Sequence, residues 1–261
     1  MNEEVQMMPP FMIDEQNSAE VFLSNMNYAQ VGAAVVVQEV IDGNQNDYLT
    51  EVQQTYPDRF FCMGMAWTLD EAKAVREAGL KGIAFPGHRM TESLLTLIPL
   101  FKYMEEQKMV LSMCLGDNEH QIGEMKEVIE ECPELKVAIG HFGMVTTPSF
   151  EQQVLLAREG ENVRIESGGI TWLFNSEFYP YPSAVRSIRR AAELVGMDRL
   201  MWGSDYPRTI TAITYRMSYD FICKSKELTD SEKRAFLGEN AIQFYGFKNL
   251  PELPYIKNMS E

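Results

Sequence analysis

Residues 200–208 read Leu-Met-Trp-Gly-Ser-Asp-Tyr-Pro-Arg. An apolar run stops at two small residues, and a carboxylate and a proline follow. Such an acid has two readings. Asp205 caps the next helix, with Pro207 in its first turn, or it faces a site where it orients or deprotonates water or ligates a metal. The kind of sheet this run belongs to decides the fold.

Working outward, the run 199–204 (RLMWGS) is the seventh of its kind. The others are 33–38 (AAVVVQ), 60–66 (FFCMGMA), 81–86 (KGIAFP), 109–115 (MVLSMCL), 136–141 (KVAIGH) and 162–167 (NVRIES). All are near-continuously apolar rather than alternating, as parallel strands covered on both faces are. Helical patterns fill the gaps. TLDEAKAVREAG carries a capping box, Thr68 with Glu71, and closes on Gly79; TDSEKRAFLGENAIQFYGF carries another, Thr229 with Glu232. Repeated β-then-α units mean a parallel sheet, doubly wound or closed as a barrel. No glycine-rich fingerprint follows the first strand, which removes the main support for a dinucleotide-binding fold.

The expectation is an α/β fold of the TIM (β/α)8 type with its first strand missing or atypical. A helix over roughly 18–30 should follow a strand, yet residues 1–17 offer only MMPPFM, whose two prolines oppose a buried strand. The expected organisation is an extension over 1–17, a barrel over 18–247 and a tail over 248–261. An unclosed barrel has two sheet edges, which predicts a homodimer.

A net charge of −15 without clustered Lys and Arg argues against nucleic acid. No apolar stretch approaches the roughly 18 residues that span a bilayer. The acidic start MNEEVQMMPPFM is unlike a signal peptide, and four scattered cysteines fit reduced thiols, so a cytoplasmic location is expected.

In a barrel, chemistry sits where strands end. His141 ends KVAIGH, between Gly140 and Gly143; it is a proton carrier, a metal ligand, or a core histidine bonded to backbone. Glu166 ends NVRIES ahead of Gly168-Gly169, placed to bind substrate or metal or to pair with an arginine. His88 and Arg89 follow the third strand. Asp117 and His120 follow the fourth, His120 in a helix first turn. Trp172 and the run 179–181 (YPY) wall a pocket or simply pack. Arg208 anchors a substrate carboxylate or forms a surface salt bridge.

AIGHFG followed about sixty residues later by LMWGSDYPR resembles the amidohydrolase-related family of TIM-barrel hydrolases, which includes lactonases and decarboxylases. NMNYAQVGAAVVVQ, YPDRFFCMGM, AGLKGIAF and the closing LGENAIQFYGF are similar to further segments of that family, over roughly 18–247. The resemblance implies His141 as a metal ligand or catalytic group and Asp205 as the residue that activates water or binds metal. It implies a small-molecule substrate and one divalent metal such as zinc. Two departures stand out. The family's opening His-x-His is absent, since the three histidines begin at His88, and Cys114 and Asp117 stand where a further histidine ligand is usual. The missing histidines fall on the same missing first strand. Some lactonases of the family work without metal, so metal-independent catalysis stays open.

The expected function is hydrolysis of a small, carboxylated lactone, ester or amide. Asp205 activates water, His141 assists, and Arg208, Glu166, His88, Arg89 and Trp172 bind substrate. The alternatives are a related decarboxylase, or a non-catalytic truncated barrel that binds or oligomerises.

Overall fold

The computed structural model describes residues 17–40 and 43–253. Seven strands form where seven were expected: β1 (Ala34–Val36), β2 (Phe60–Gly64), β3 (Gly82–Phe85), β4 (Val110–Met113), β5 (Lys136–Ile139), β6 (Val163–Glu166) and β7 (Leu200–Met201). They pair in chain order, every neighbour parallel, as one curled sheet. Among the described residues this is a TIM-type barrel without a full eighth strand. The suspected site of that strand, 1–17, lies outside the described residues but for Asn17, as does the end of the proposed tail, 254–261.

The continuous apolar character of the strands has a direct explanation. Phe60, Cys62, Ile83, Phe85, Leu111, Val137, Ile139, Val163, Ile165 and Leu200 join the large core under the helices. Their alternates Phe61, Met63, Ala84, Val110, Ala138 and Met201 join a second, smaller core inside the curl. From β2 to β5 both faces are largely buried, so period-two alternation in the structure leaves no polar alternation in the sequence; β1 is half-buried throughout. The inner core is stoppered by the C-terminal helix, which contributes Phe244 with Ala241 and Tyr245, and by Phe247 just beyond it.

Both anticipated capping boxes form, Thr68 with Glu71 at the helix Leu69–Glu77 and Thr229 with Glu232 at the helix Asp230–Arg234. The latter continues through a π-helical turn, Ala235–Glu239, into the helix Asn240–Tyr245.

Side chains and helices take over the hydrogen bonds where no described strand joins β7 to β1. The Trp202 N–H donates to the Phe236 carbonyl of the π turn at 2.9 Å. Asn240 Nδ2 donates to the carbonyls of Leu200 (2.7 Å) and Met197 (2.8 Å). Before β1, Arg59 Nε donates to the Gly32 carbonyl at 2.7 Å. Phe22, on the helix Ala19–Tyr28, stacks on Tyr206 with ring centroids 4.3 Å apart. The β7 edge that sequence alone left open is therefore covered within the chain.

Candidate active site

The curled sheet brings the C-terminal ends of β3 to β7 to one mouth. His88 follows β3, Cys114 follows β4, His141 follows β5, Glu166 is the last residue of β6 and Asp205 lies just past β7. This is the end of a (β/α) barrel on which active sites are built.

Glu166 is the best enclosed of these groups. Val163 and Ile165 face the helices, so the same alternation turns Glu166 inward. Its Oε1 accepts from the His141 backbone N–H at 3.1 Å, and its Oε2 from the Gly168 N–H at 2.8 Å. Three glycines make room for the carboxylate. A Cβ at Gly140 would lie 3.0 Å from Oε1, one at Gly168 2.9 Å from it, and one at Gly203 would overlap Oε2. Burial pushes the Glu166 carboxyl up, against the nearby His141 charge and the two backbone donors.

His141 sits on left-handed backbone, φ 52°, as does the following Phe142, φ 51°. Such conformations are uncommon outside glycine and cluster at functional sites. They turn the imidazole back over the mouth. Its Nδ1 donates to the Gly168 carbonyl at 3.0 Å, which fixes the ring's orientation and leaves Nε2 for the site. Burial alone would hold its pKa down. The side-chain hydrogen bond with Cys114 and the charges of Cys114, Asp205 and Glu166 raise it well above the usual imidazole value.

Cys114 lies between two imidazoles. Burial would push its thiol up, but hydrogen bonds from His141 and His88 outweigh this and bring it down to about 7. His88 is raised by the same bond from the other side.

The helix-cap reading of Asp205 in LMWGSDYPR does not hold. The Asp205 backbone is left-handed, φ 55°, and the following short helix, Arg208–Thr211, has no side-chain cap. The carboxylate instead accepts the Trp172 indole N–H at 2.6 Å. Arg208 lies over the Trp172 ring, its guanidinium carbon 3.9 Å from the centroid, and the His141 ring stands edge-on to the same indole at 6.2 Å. Trp172 thus joins Asp205, Arg208 and His141 into one wall. Among the described residues no carboxylate pairs with Arg208, so its charge is available there.

A family model for amidohydrolases matches residues 1–247. This chain belongs to the amidohydrolase family. Solved structures share the fold at low identity. A probable 2-pyrone-4,6-dicarboxylic acid hydrolase of Acinetobacter baumannii, with citric acid bound, has a TM-score of 0.73 and 19% identity, covering 89% of this chain and 90% of its own. An amidohydrolase of Burkholderia multivorans with bound zinc has a TM-score of 0.73 and 16% identity, covering 92% and 91%. A manganese complex of 5-carboxyvanillate decarboxylase of Novosphingobium aromaticivorans has a TM-score of 0.60 and 18% identity, covering 87% and 80%. Among curated proteins none matches.

Two of these structures hold zinc or manganese, and the donors of this chain can be tested against such an ion. Among the described residues no group of three or more His, Cys, Asp or Glu side chains is arranged to hold one. The donors are turned to each other: His88 and His141 to the Cys114 sulfur, and Asp205 to the Trp172 indole. A catalytic divalent metal takes about three protein ligands, and the described residues do not fit one.

The remaining candidates lie apart. Arg89 Nε pairs with Glu39 at 3.3 Å. His120 occupies the first turn of the helix Glu119–Glu131 and faces Glu124 at 3.2 Å, largely exposed. Asp117 accepts the Ser149 N–H at 3.1 Å. Tyr179 donates to Asp220, and Tyr181 is buried against Phe221. Cys114 enters the sequence reading only as a substitute for a histidine; the signal that it belongs to the site is its place at a strand end, level with Gly140 and one residue short of His141.

Proposed function

We propose that the protein is a hydrolase of a small carboxylated lactone, ester or amide, with Asp205 activating water and His141 exchanging protons. The observation that carries this is the Asp205–Trp172–Arg208 wall. It sets a carboxylate acceptor and an arginine on either side of one indole, with His141 edge-on to it. A guanidinium without a carboxylate partner binds a substrate carboxylate bidentately. That places the neighbouring carbonyl near Asp205, and a water between them loses its proton to Asp205 as it attacks. The leaving oxygen takes a proton from His141, whose pKa is raised, against its burial, by the bond with Cys114 and the charges of Asp205 and Glu166. His88 and Glu166 complete the mouth, Glu166 by holding the backbone of His141 and Gly168 in place. Arg89, held by Glu39, lies at its margin.

The citrate-bound hydrolase relative makes carboxylated lactones, beginning with 2-pyrone-4,6-dicarboxylate, the first panel to assay. Turnover is expected in the unmodified protein. Asp205→Asn is expected to lower kcat by at least about 100-fold, and Arg208→Ala to raise KM with a smaller effect on kcat. Full turnover in D205N on a substrate the protein accepts would sink this mechanism. The nearest alternative is a decarboxylase, as in the manganese-bound relative; release of CO2 instead of ring opening would identify it. No helix among the described residues is long and apolar enough to cross a membrane. The four cysteines are unpaired, in keeping with a reducing compartment such as the cytoplasm.

A further inference from the structure

The Cys114 sulfur is placed where the hydrolytic scheme above has no use for it. It follows β4, flanked by the loops after β3 and β5 that carry His88 and His141, with the His88 N–H on its carbonyl at 2.8 Å, and is partly open to the mouth. The other thiols have no such setting. Cys62 and Cys132 are buried, and burial pushes their thiols up to about 12 and about 11. Cys223 is exposed but has no imidazole partner among the described residues, and its thiol is also raised.

We propose that Cys114 is a nucleophile, activated by the His88–His141 pair, that forms a thioester with a carboxylic ester or lactone. The pattern is that of a thiol within reach of a base that is itself oriented by a third group. Here the Gly168 carbonyl on Nδ1 orients His141, leaving Nε2 toward the sulfur. In the first step the thiolate attacks the ester carbonyl carbon. The C–S bond forms, the C–O bond to the leaving alcohol breaks, and that oxygen takes the imidazolium proton. In the second step a water attacks the thioester and gives up a proton to Asp205, which passes it to the now neutral imidazole. The C–S bond breaks, and thiolate and carboxylic acid are released. One water is consumed, and the ion pair is restored.

The charged groups facing the sulfur are those already named: His88 from the loop after β3, His141 from the loop after β5, and, through His141, Glu166 of β6 and Asp205 after β7. Glu39 and Arg89 act on His88. This proposal shares Asp205 and an ester or lactone substrate with the hydrolase reading but not its attacking group, which is sulfur rather than water, so the two can fail separately.

The test treats the full chain with p-nitrophenyl acetate and, in parallel, iodoacetamide, followed by peptide mapping. Acetyl is expected on Cys114 and to accumulate in Asp205→Asn, where deacylation slows. Carboxamidomethylation of Cys114 is expected at least about fivefold faster than of exposed Cys223, since greater thiolate fraction outweighs the lower nucleophilicity of an acidic thiol. Cys114→Ser should remove the acetyl site. His141→Gln should slow alkylation of Cys114 by about fivefold while leaving Cys223 unchanged, which a purely structural histidine would not do. The proposal fails if Cys223 reacts first, if acetyl falls elsewhere, or if Cys114 reacts only after a chelator has stripped a metal from it. If Cys114 is acylated while no carboxylated lactone is turned over, the hydrolase reading fails and this one stands.

Discussion

Two stretches of this barrel solve the same problem by different means. From β3 to β7 the sheet is continuous, and the loops above it leave room for reactive groups by omitting side chains. Between β7 and β1 no described strand exists, and large side chains close the gap. At the mouth, Gly140, Gly168 and Gly203 make a space that Glu166 fills. At the seam, Asn240, Arg59, Phe22 and Tyr206 occupy the positions a strand would fill. The mouth depends on what is missing from its residues, the seam on what is present. The mouth is therefore sensitive to added atoms and the seam to removed ones.

The largest effect is expected from adding one methyl at the mouth. In Gly203→Ala the new Cβ overlaps Glu166 Oε2 and stands 3.1 Å from the Gly168 backbone nitrogen. Overpacking of this kind costs about 1–3 kcal/mol, read as a lower urea midpoint. The His141 and Gly168 amides should lose their carboxylate acceptor as well. Glu166→Ala in the same chain removes the overlapping oxygen. The double variant should be more stable than the sum of the two single losses predicts, by at least about 1 kcal/mol; strict additivity would show that the two residues do not meet.

Subtraction is the matching test of the seam. Asn240→Ala leaves the Leu200 and Met197 carbonyls without their side-chain donor, at a cost of about 2 kcal/mol. Because Asn240 touches nothing at the mouth, Cys114 alkylation in the folded variant should keep its rate. If stability is unchanged, the seam is not held by this amide. If the alkylation rate moves with stability, the two regions are one cooperative unit at the level of the site.

The sequence-level reading recovers the seven strands, both capping boxes and the mouth residues His141 and Asp205, for a common reason. Strand and helix signals are local, and a barrel gathers strand ends at one face whatever the loops do. Three features are not local. The left-handed backbone at His141 and Asp205 has no glycine to announce it. The room around Glu166 comes from glycines in three separate segments. The Trp172–Asp205 bond joins residues 33 positions apart. Cys114 was visible as a residue, but its two imidazole partners follow different strands, and only the sheet order β3–β4–β5 puts it between them.

The smallest expected effect tests how far the seam's support extends beyond direct contacts. The C-terminal helix that carries Phe236 and Asn240 begins at the Thr229–Glu232 capping box. Glu232 is also clamped by Arg189 of the helix Pro182–Val195, with Nη1 2.7 Å from Oε1. The Arg189 guanidinium and the Thr229 backbone donor, which outweigh burial, hold the Glu232 carboxyl down at about 2, against 4.5 for the free group. A depressed carboxyl contributes stability that is complete above 4.5 and is lost as pH falls through about 2. Glu232→Gln removes that contribution, so it should cost about 1 kcal/mol at neutral pH, a partly solvated pair being worth little more. The gap between variant and unmodified protein should narrow steadily below pH 4.5. Urea unfolding at neutral pH and near pH 3 reads both values. An equal gap at the two pH values would show that the glutamine has removed packing rather than charge, and that the clamp on this helix is not electrostatic.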